Sequence, residues 1–386
     1  MRFWTILLLI ATSGLVLACV DLEDLTPRGT VNVIVVDGTV TNLAEPQQIR
    51  LNRSKADPLT GRFGTLPLTK ATVEVVVDSA QVIAAHETVD GTYRLPNDFR
   101  GQVGHAYQLR FHLLDGTEYR STPQVMQPVP PIGDVAARFN PTSLPPTQQL
   151  DGAYAAAYDF YVNAQDPAGQ HNYYRWDWID WERQDWCRSC QGSLYQVYDA
   201  NGNVLEDCVP INSSTSFIYD YNCRTLCWEI IHGNDLSIFS DQYSNGGLIK
   251  NRRVAQIPLY SKEHCLVEIR QLSLTPMAYE YFRQINDQTQ RAGGVADTPP
   301  SFPVGNVRNV ANPSMLVAGY FTASAVDAVR YWLTRQDATG FAPGLFQALN
   351  GRDPINEQST ARYRPPLAVC VPSDSRTPVK PEGWRD

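Results

Sequence analysis

The sequence lacks the short motifs that identify the common enzyme classes. It contains no GxSxG turn, no P-loop, no HExxH zinc motif and no glycine-rich dinucleotide fingerprint. Its six histidines are scattered along the chain, and none lies at metal-ligand spacing from another. We therefore expect no catalytic residue, no cofactor and no metal, and we predict that the protein is not an enzyme.

Basic residues are also scarce. The chain has 32 lysines and arginines against 40 acidic residues, a formal net charge of −8, and they form no basic stripe. Nucleic acids require clusters of lysine and arginine to neutralise their phosphates. The composition therefore excludes nucleic acid as an expected partner.

The one long apolar run of the sequence lies at the N-terminus. Residues 5–18 are almost wholly apolar and follow Arg2, but they are fewer than the roughly 20 residues of a membrane-spanning helix. This layout predicts a signal peptide over residues 1–18. The run ends in Ala18-Cys19, which resembles a bacterial lipobox, so we predict lipidation of Cys19. An ordinary signal peptide followed by a chance cysteine is the alternative.

Residues 19–30 are predicted to form a lipidated tether. Asp21, Glu23 and Asp24 follow Cys19 closely, as in the surface-export signal of Bacteroidota lipoproteins. A solvated tether with incidental charges explains them equally well. The expected location is the outer membrane, with the cell surface or the periplasm as the two faces left open.

Seven cysteines remain besides Cys19, and five of them lie in a cysteine-rich insert at 187–227. Exported proteins occupy an oxidising compartment, so disulfides are expected, with at most three bridges and one thiol left over. The rival interpretation is a zinc site, which the loose second spacing and the compartment disfavour. The disulfide candidates are Cys187, Cys190, Cys208, Cys223, Cys227, Cys265 and Cys370.

Cys265 also follows Glu263-His264, a neighbourhood that invites a nucleophile interpretation. Adjacent residues of a strand point to opposite faces, so half of a disulfide is the expected role of Cys265. Asp177 and Asp180 are close in sequence, but spacing alone does not place two acids in one cleft. A hydrolase in the second half of the chain is therefore the least favoured function.

Short strand-like runs separated by turns dominate the rest of the sequence. Asp-Gly-Thr occurs at 37–39, 90–92 and 115–117, and each copy predicts a hairpin turn between apolar or alternating runs. We predict a mainly β fold that begins with an Ig-like or carboxypeptidase-regulatory-like β-sandwich over residues 31–127. The proline-rich stretch 123–131 cannot sustain a strand ladder, so we place the domain boundary at residue 128.

Residues 128–386 are predicted to form a second β-rich domain. In the aromatic strand at 172–181, Tyr174, Trp176 and Trp178 share one face, which indicates core packing. Trp181 and Trp186 lie nearer the cysteine-rich insert and are the candidates for a ligand or partner surface.

One helix is predicted in this second domain, over residues 276–291. Thr275-Pro276 provides an N-cap followed by proline at the first helical position. Met277, Tyr281 and Ile285 recur every fourth residue, which predicts one apolar stripe packed against the domain.

Blocks of residues along nearly the whole mature chain resemble the domain of unknown function 4249 family, exported lipoproteins of Bacteroidota. These blocks include Val35–Asn42, Asp297–Pro300, Gly305–Val307, Gly319–Ser324 and Lys380–Trp384. Members often carry two closely spaced cysteines near the C-terminus, whereas here Cys370 is followed by Ser373, which leaves the pairing of Cys370 open.

This resemblance implies no catalytic residues, because the family has no established activity. It implies a functional partner, since such proteins are commonly encoded beside TonB-dependent outer-membrane transporters. We therefore expect a binding or accessory lipoprotein of a TonB-dependent uptake system, with a structural or adhesive surface module as the alternative.

Overall fold

The computed structural model describes residues 33–56, 63–211, 217–289, 303–357 and 366–385. The predicted signal peptide at 1–18, Cys19, the tether at 19–30 and the last two residues of the predicted helix lie outside the described residues.

An eleven-stranded sheet surrounds the first hydrophobic core. Its strands alternate between buried and exposed positions, as β1 shows with Val36 and Val40 inside and Asp37 outside. The strands are β1 (Ile34–Thr41), β2 (Gln48–Ala56), β3 (Phe63–Pro67), β4 (Thr72–Val77), β5 (Gln81–Val89), β6 (Thr92–Arg94), β7 (Ala106–His112), β8 (Glu118–Ser121), β9 (Gln124–Val125), β21 (Val307–Asn309) and β22 (Val317–Ser324).

Two of these strands come from far along the chain. β22 pairs in parallel with β1, and β21 pairs antiparallel with β8 at the other end of the strand order. The Asn306 side-chain amide donates to the Phe321 carbonyl at 2.8 Å and accepts from the Phe321 amide at 2.9 Å, which ties the two ends together. The predicted domain boundary at residue 128 stays a prediction. It would place β21 and β22 in the second domain, yet both strands pair with strands that precede the boundary.

Two of the three Asp-Gly-Thr turns are confirmed. Gly91 and Gly116 have φ angles of 72° and 82°, the left-handed region that glycine adopts without penalty. Each connects two antiparallel strands, β5 to β6 and β7 to β8. Asn201-Gly202, between the antiparallel strands Ser193–Tyr198 and Val204–Pro210, forms a third hairpin turn of this kind.

The turn predicted at Asp37-Gly38 is wrong. Both residues lie inside β1, where Asp37 pairs with Arg50 and Gly38 pairs with Ile49. A Cβ atom on Gly38 would approach the Ile49 side chain to 3.2 Å. The glycine here permits close packing instead of a turn.

The second core lies between two further sheets. Trp176 and Trp178 are buried there with Tyr174, as the alternation on that strand predicted. One sheet consists of β10 (Ile132–Asn140), β11 (Ala157–Gln165) and β19 (Leu248–Pro258), and the other of β12 (Tyr173–Arg183), β17 (Trp228–His232), β18 (Ser237–Ser240), β20 (Cys265–Ser273), β23 (Val326–Leu333) and β24 (Arg376–Thr377).

The proline-rich stretch 123–131 connects the two cores. It carries the two-residue strand β9, and Gln127 forms an isolated bridge with Ser324. The expectation that no ladder forms there is therefore wrong at β9, although proline keeps that pairing short.

The cysteine-rich insert folds as two small ribbons held by disulfides. Cys187 is bonded to Cys223, Cys190 to Cys208 and Cys227 to Cys370. The last bridge ties the C-terminal segment to the insert across 143 residues of sequence. The ribbons are β13 (Trp186–Gln191) with β16 (Ile218–Asn222), and β14 (Ser193–Tyr198) with β15 (Val204–Pro210).

The predicted helix is present as α1 (Pro276–Thr289), and a short α2 (Leu345–Asn350) follows later. The Thr275 hydroxyl accepts a hydrogen bond from the Ala278 amide at 3.2 Å, which confirms the N-cap. Ala278 and Tyr281 are buried, but Met277 is 68% exposed, so its assignment to the packed stripe is wrong. Among the described residues, neither helix has the length and apolar character needed to cross a bilayer.

Candidate functional site

A polar cleft lies between the eleven-stranded sheet and the sheet that contains β12. The outer side of β1, β2 and β6 borders it on one side, and the outer side of β12, β17 and β20 borders it on the other. Its volume is about 720 Å³, and an adjoining part of 460 Å³ shares Asp37, Arg50, Asp177 and Arg270 with it. This size falls within the range of small-molecule sites, roughly 300–1,000 Å³.

Strand alternation explains the polar lining on the first side. On β2, Ile49 and Leu51 point into the first core, so Gln48 and Arg50 point outward. The pairing of β2 with β6 places Arg94 directly opposite Gln48 on the same outer face. Three polar side chains of the cleft are therefore fixed by the register of two strands.

The second side follows the same rule. The face of β12 that carries Trp176 and Trp178 packs into the second core. The opposite face presents Arg175, Asp177 and Ile179 to the cleft. The eleven-stranded sheet and the sheet that contains β12 thus contribute their charged outer faces to one space.

Arg270 is the cleft arginine with the most complete pairing. Glu45 from the first domain accepts from both terminal nitrogens of Arg270, at 2.8 and 2.7 Å, and Glu268 accepts from Nε at 2.6 Å. Burial alone would lower the pKa of Arg270, but these two carboxylates outweigh it and raise that pKa. This ion pair connects the two sides of the cleft along its edge.

Arg175 and Arg376 are also paired. Arg175 donates to Asp177 at 2.6 Å, and Arg376 donates to Glu229 at 3.1 Å. Both arginines are therefore already paired with a carboxylate.

Arg50 and Arg94 differ from the other cleft arginines. The carboxylates nearest to Arg50 belong to Asp37 and Asp374, at 3.8 and 3.9 Å, beyond hydrogen-bond distance. Among the described residues Arg94 has no ion pair, and its Nε is shielded from solvent without a hydrogen-bond acceptor. The cleft arginines that have no carboxylate at hydrogen-bond distance therefore lie on β2 and β6.

His232 completes this side of the cleft. Burial, together with the positive charges of Arg270 and Arg50, lowers the pKa of His232 below its ordinary value. The imidazole is therefore neutral at pH 7 and adds hydrogen-bonding capacity without charge.

A second group of charges is sealed inside the second domain. Asp180, Glu182, Cys265 and Arg335 are each at most 2% exposed. Arg335 donates to Glu182 at 2.5 Å and lies 3.9 Å from Asp180. In the described part of the chain, neither carboxylate oxygen of Asp180 has a hydrogen-bond partner. Burial and the neighbouring Glu182 raise the pKa of Asp180 well above its ordinary value.

Cys265 belongs to this buried cluster as a free thiol. Its expected role as half of a disulfide is wrong, because within the described ranges it faces two carboxylates and Arg335 and no other cysteine. Burial raises the pKa of the Cys265 thiol, so it stays protonated and unreactive. Ligand atoms of Asp180, Glu182 and Cys265 lie within 4.8 Å of one another, but the Arg335 guanidinium already supplies the positive charge there.

The paired acids considered from the sequence do not share a site. Asp177 lies on the outer face of β12 in the cleft, whereas Asp180 lies on the opposite face in the sealed cluster. Their odd spacing along a strand requires this separation.

Trp181 and Trp186 do not line the cleft. Trp181 is half-buried beneath the Arg330 guanidinium, 5.4 Å from the ring centre, and Trp186 packs 6.2 Å from Phe346. The structure places them on different elements and gives each an intramolecular partner. Whether they form a ligand or partner surface stays a prediction.

Sequence reasoning missed the cleft residues Arg50, Arg94 and His232. A signal existed in the alternation of β2, which identifies Gln48 and Arg50 as outward-facing. It also missed a cluster of Trp228, Trp332 and Trp384, in which Trp384 packs edge-to-face on the other two at 5.7 and 5.0 Å. This cluster fastens the C-terminal tail to the second domain.

Comparison with known proteins adds a family to this geometry. No curated protein matches the chain. The family described as Domain of unknown function (DUF4249) matches residues 20–330, a range that includes most of the strands around the cleft. By this match over most of its length, the chain belongs to the DUF4249 family.

Proposed function

We propose that the protein is an outer-membrane lipoprotein that binds a ligand or partner and assists a TonB-dependent uptake system. The observation that carries the binding role is the polar cleft between the two domains, with its two incompletely paired arginines. Ligand sites commonly lie at domain interfaces.

The anchoring part of the proposal is supported by the sequence. Ala18-Cys19 closes an apolar run that is too short to span a bilayer. Several acyl chains on one cysteine give stable attachment, whereas a single chain does not.

The chemistry of the described residues supports binding over catalysis. The buried acids Asp180 and Glu182 and the Cys265 thiol are sealed from solvent. In the cleft, acids that line the walls accept hydrogen bonds from arginines, as Asp177 accepts one from Arg175.

Co-purification tests the role in uptake. The full chain, tagged at its C-terminus, is captured from detergent-solubilised outer membrane, and the proteins retained with it are identified by mass spectrometry. We expect a TonB-dependent transporter to be retained in stoichiometric amount. Repeated capture without any barrel transporter would contradict the accessory role.

A Cys19→Ala variant is the matched control for the anchor. It should lose incorporation of radiolabelled palmitate and leave the membrane fraction, while its disulfides and thermal midpoint stay unchanged. Continued membrane attachment of this variant would contradict lipidation at Cys19.

A structural or adhesive surface module is the second candidate function. The β14–β15 ribbon of the insert exposes Tyr198, Val204 and Leu205, with 64%, 59% and 39% of their surfaces accessible. Exposed apolar groups of this kind mark partner surfaces when they are contiguous. This function predicts that a deletion strain loses attachment or envelope integrity but keeps normal nutrient uptake.

A further inference from the structure

We propose that the cleft recognises an anionic group, a carboxylate or a phosphate, on a small polar ligand, and that Arg50 and Arg94 hold this group. The inference rests on the proposed binding function and names the class of ligand.

The register of the strands places the two arginines side by side. Gln48 lies opposite Arg94, and Arg50 is two residues further along β2 on the same face. Diagonal neighbours of this kind are roughly 7–8 Å apart, close enough for two long side chains to contact one group. Arg50 also donates to the Gln48 side chain at 3.3 Å, so the three residues form one polar patch.

The pairing within the cleft leaves these two arginines available. Arg270, Arg175 and Arg376 already donate to carboxylates at 3.1 Å or less. Arg50 reaches its nearest carboxylates only at 3.8 and 3.9 Å. Among the described residues Arg94 has no ion pair, and its shielded Nε, like that of Arg175, has no acceptor. A buried donor without an acceptor is unfavourable.

The chemistry of arginine defines the group that fits. The planar guanidinium matches the oxygens of a carboxylate or a phosphate and binds them by paired, charge-assisted hydrogen bonds. A neutral hydroxyl group makes weaker bonds with the same donors.

The acids of the cleft limit the total charge of the ligand. Asp37, Asp177 and Asp374 line the same space, and like charges held close together repel. The ligand therefore carries one anionic group on an otherwise uncharged polar body, and polyanions are excluded.

Isothermal titration calorimetry on the full mature chain in detergent, which measures binding affinity, tests this inference. The probes are glucuronic acid for the carboxylate, glucose 6-phosphate for the phosphate ester, inorganic phosphate for the free anion, and glucose as the neutral match. We expect glucuronic acid or a phosphate probe to bind at least roughly tenfold more tightly than glucose, with affinity that falls as salt rises.

Two variants locate the binding. Arg94→Gln and Arg50→Gln should each weaken binding of the anionic probe by about tenfold or more. The matched control is Arg283→Gln, on the exposed side of α1 in a pair with Glu280, which should bind as the unaltered protein does. Thermal midpoints of all three variants establish that they are folded.

The outcomes separate this inference from the proposed function. If no anionic probe binds at up to tens of millimolar, or if both cleft variants bind like the Arg283→Gln control, the inference is overturned. If glucose binds as well as glucuronic acid, the cleft is a ligand site of another class, so the inference fails while the binding function stands. If anions bind in the cleft but no transporter co-purifies, the inference stands and the accessory role fails.

Discussion

The second domain holds one group of charges in its core, and the cleft beside it holds another. In the core, Arg335 faces Glu182 and Asp180, and all three side chains are at most 1% exposed. In the cleft, the side chain of Arg50 is 48% exposed and reaches Asp37 only at 3.8 Å. Both groups consist of arginines and carboxylates, but only the exposed residues of the cleft can exchange their partners for water or for a ligand.

The difference lies in the cost of an unpaired charge. A buried ion loses its hydration, so removal of its partner leaves a charge that nothing compensates. An exposed ion keeps its hydration, and its pairs contribute little to stability. The buried cluster is therefore structural, and the cleft is where we propose that a ligand binds.

The largest effect is expected from Glu182→Gln. This change removes the carboxylate that pairs with Arg335 and leaves the guanidinium buried beside Asp180. We expect a loss of about 3–5 kcal/mol in the free energy of unfolding, measured by urea denaturation. Glu280→Gln, in an exposed pair on α1, is the control and should change stability little. A loss in Glu182→Gln no larger than in this control would remove the distinction between the two groups.

An intermediate, pH-dependent effect is expected from Asp180→Asn. Because the folded-state pKa of Asp180 is raised, the folded protein binds a proton that the unfolded chain releases near pH 4. This contribution to stability is fully present below about pH 4 and is lost as pH rises through the raised pKa. We expect thermal midpoints of the unaltered protein to fall between pH 5 and 8.

The Asp180→Asn variant should show a shallower dependence over the same range, with at least equal stability at pH 8. Some slope will remain, since burial also raises the pKa of Glu182. Identical slopes in both proteins would contradict the assignment.

A smaller effect is expected at the junction of the domains. Glu45→Gln removes one of the two carboxylates that contact Arg270, while Glu268 remains. Because Glu45 is 37% exposed, solvent screens the pair, and we expect a loss of about 1 kcal/mol by calorimetry. Glu382→Gln, whose side chain is 95% exposed beside Arg330, should stay within about 0.5 kcal/mol of the unaltered protein.

The smallest effect on stability is expected from Arg94→Gln. Arg94 has no acidic partner among the described residues, so its removal should change the free energy of unfolding by no more than about 0.5 kcal/mol. Chemical denaturation without ligand measures this. A large loss would place Arg94 with the structural charges of the buried cluster.

Local sequence patterns predicted several parts of the structure. The alternation around Trp176 gave the core face of β12, and Asp90-Gly91 and Asp115-Gly116 gave two hairpins. Each of these features depends on neighbours within a few residues. The mainly β fold with a packed helix followed from the same patterns.

Other features depend on neighbours that local patterns do not specify. Asp37-Gly38 has the sequence of a turn, yet its backbone pairs with β2 on one side and with β22 on the other. The sequence made both Cys265 and Cys370 disulfide candidates. In the structure Cys370 is bonded to Cys227, whereas Cys265 is a free thiol. The cleft forms because the outer faces of β2 and β12 lie opposite each other. The sequence of a single strand does not encode that arrangement.

The sequence by itself determined which side chains of each strand face the cores, because that choice repeats every two residues along one strand. It also predicted that the seven cysteines other than Cys19 form at most three disulfides. Only the tertiary structure decided that the outer faces of β2 and β12 border one cleft, and that Cys227 meets Cys370 across 143 residues. The physical reason is that contacts between distant segments form when the chain packs its cores together, and local spacing carries no information about which segments will meet.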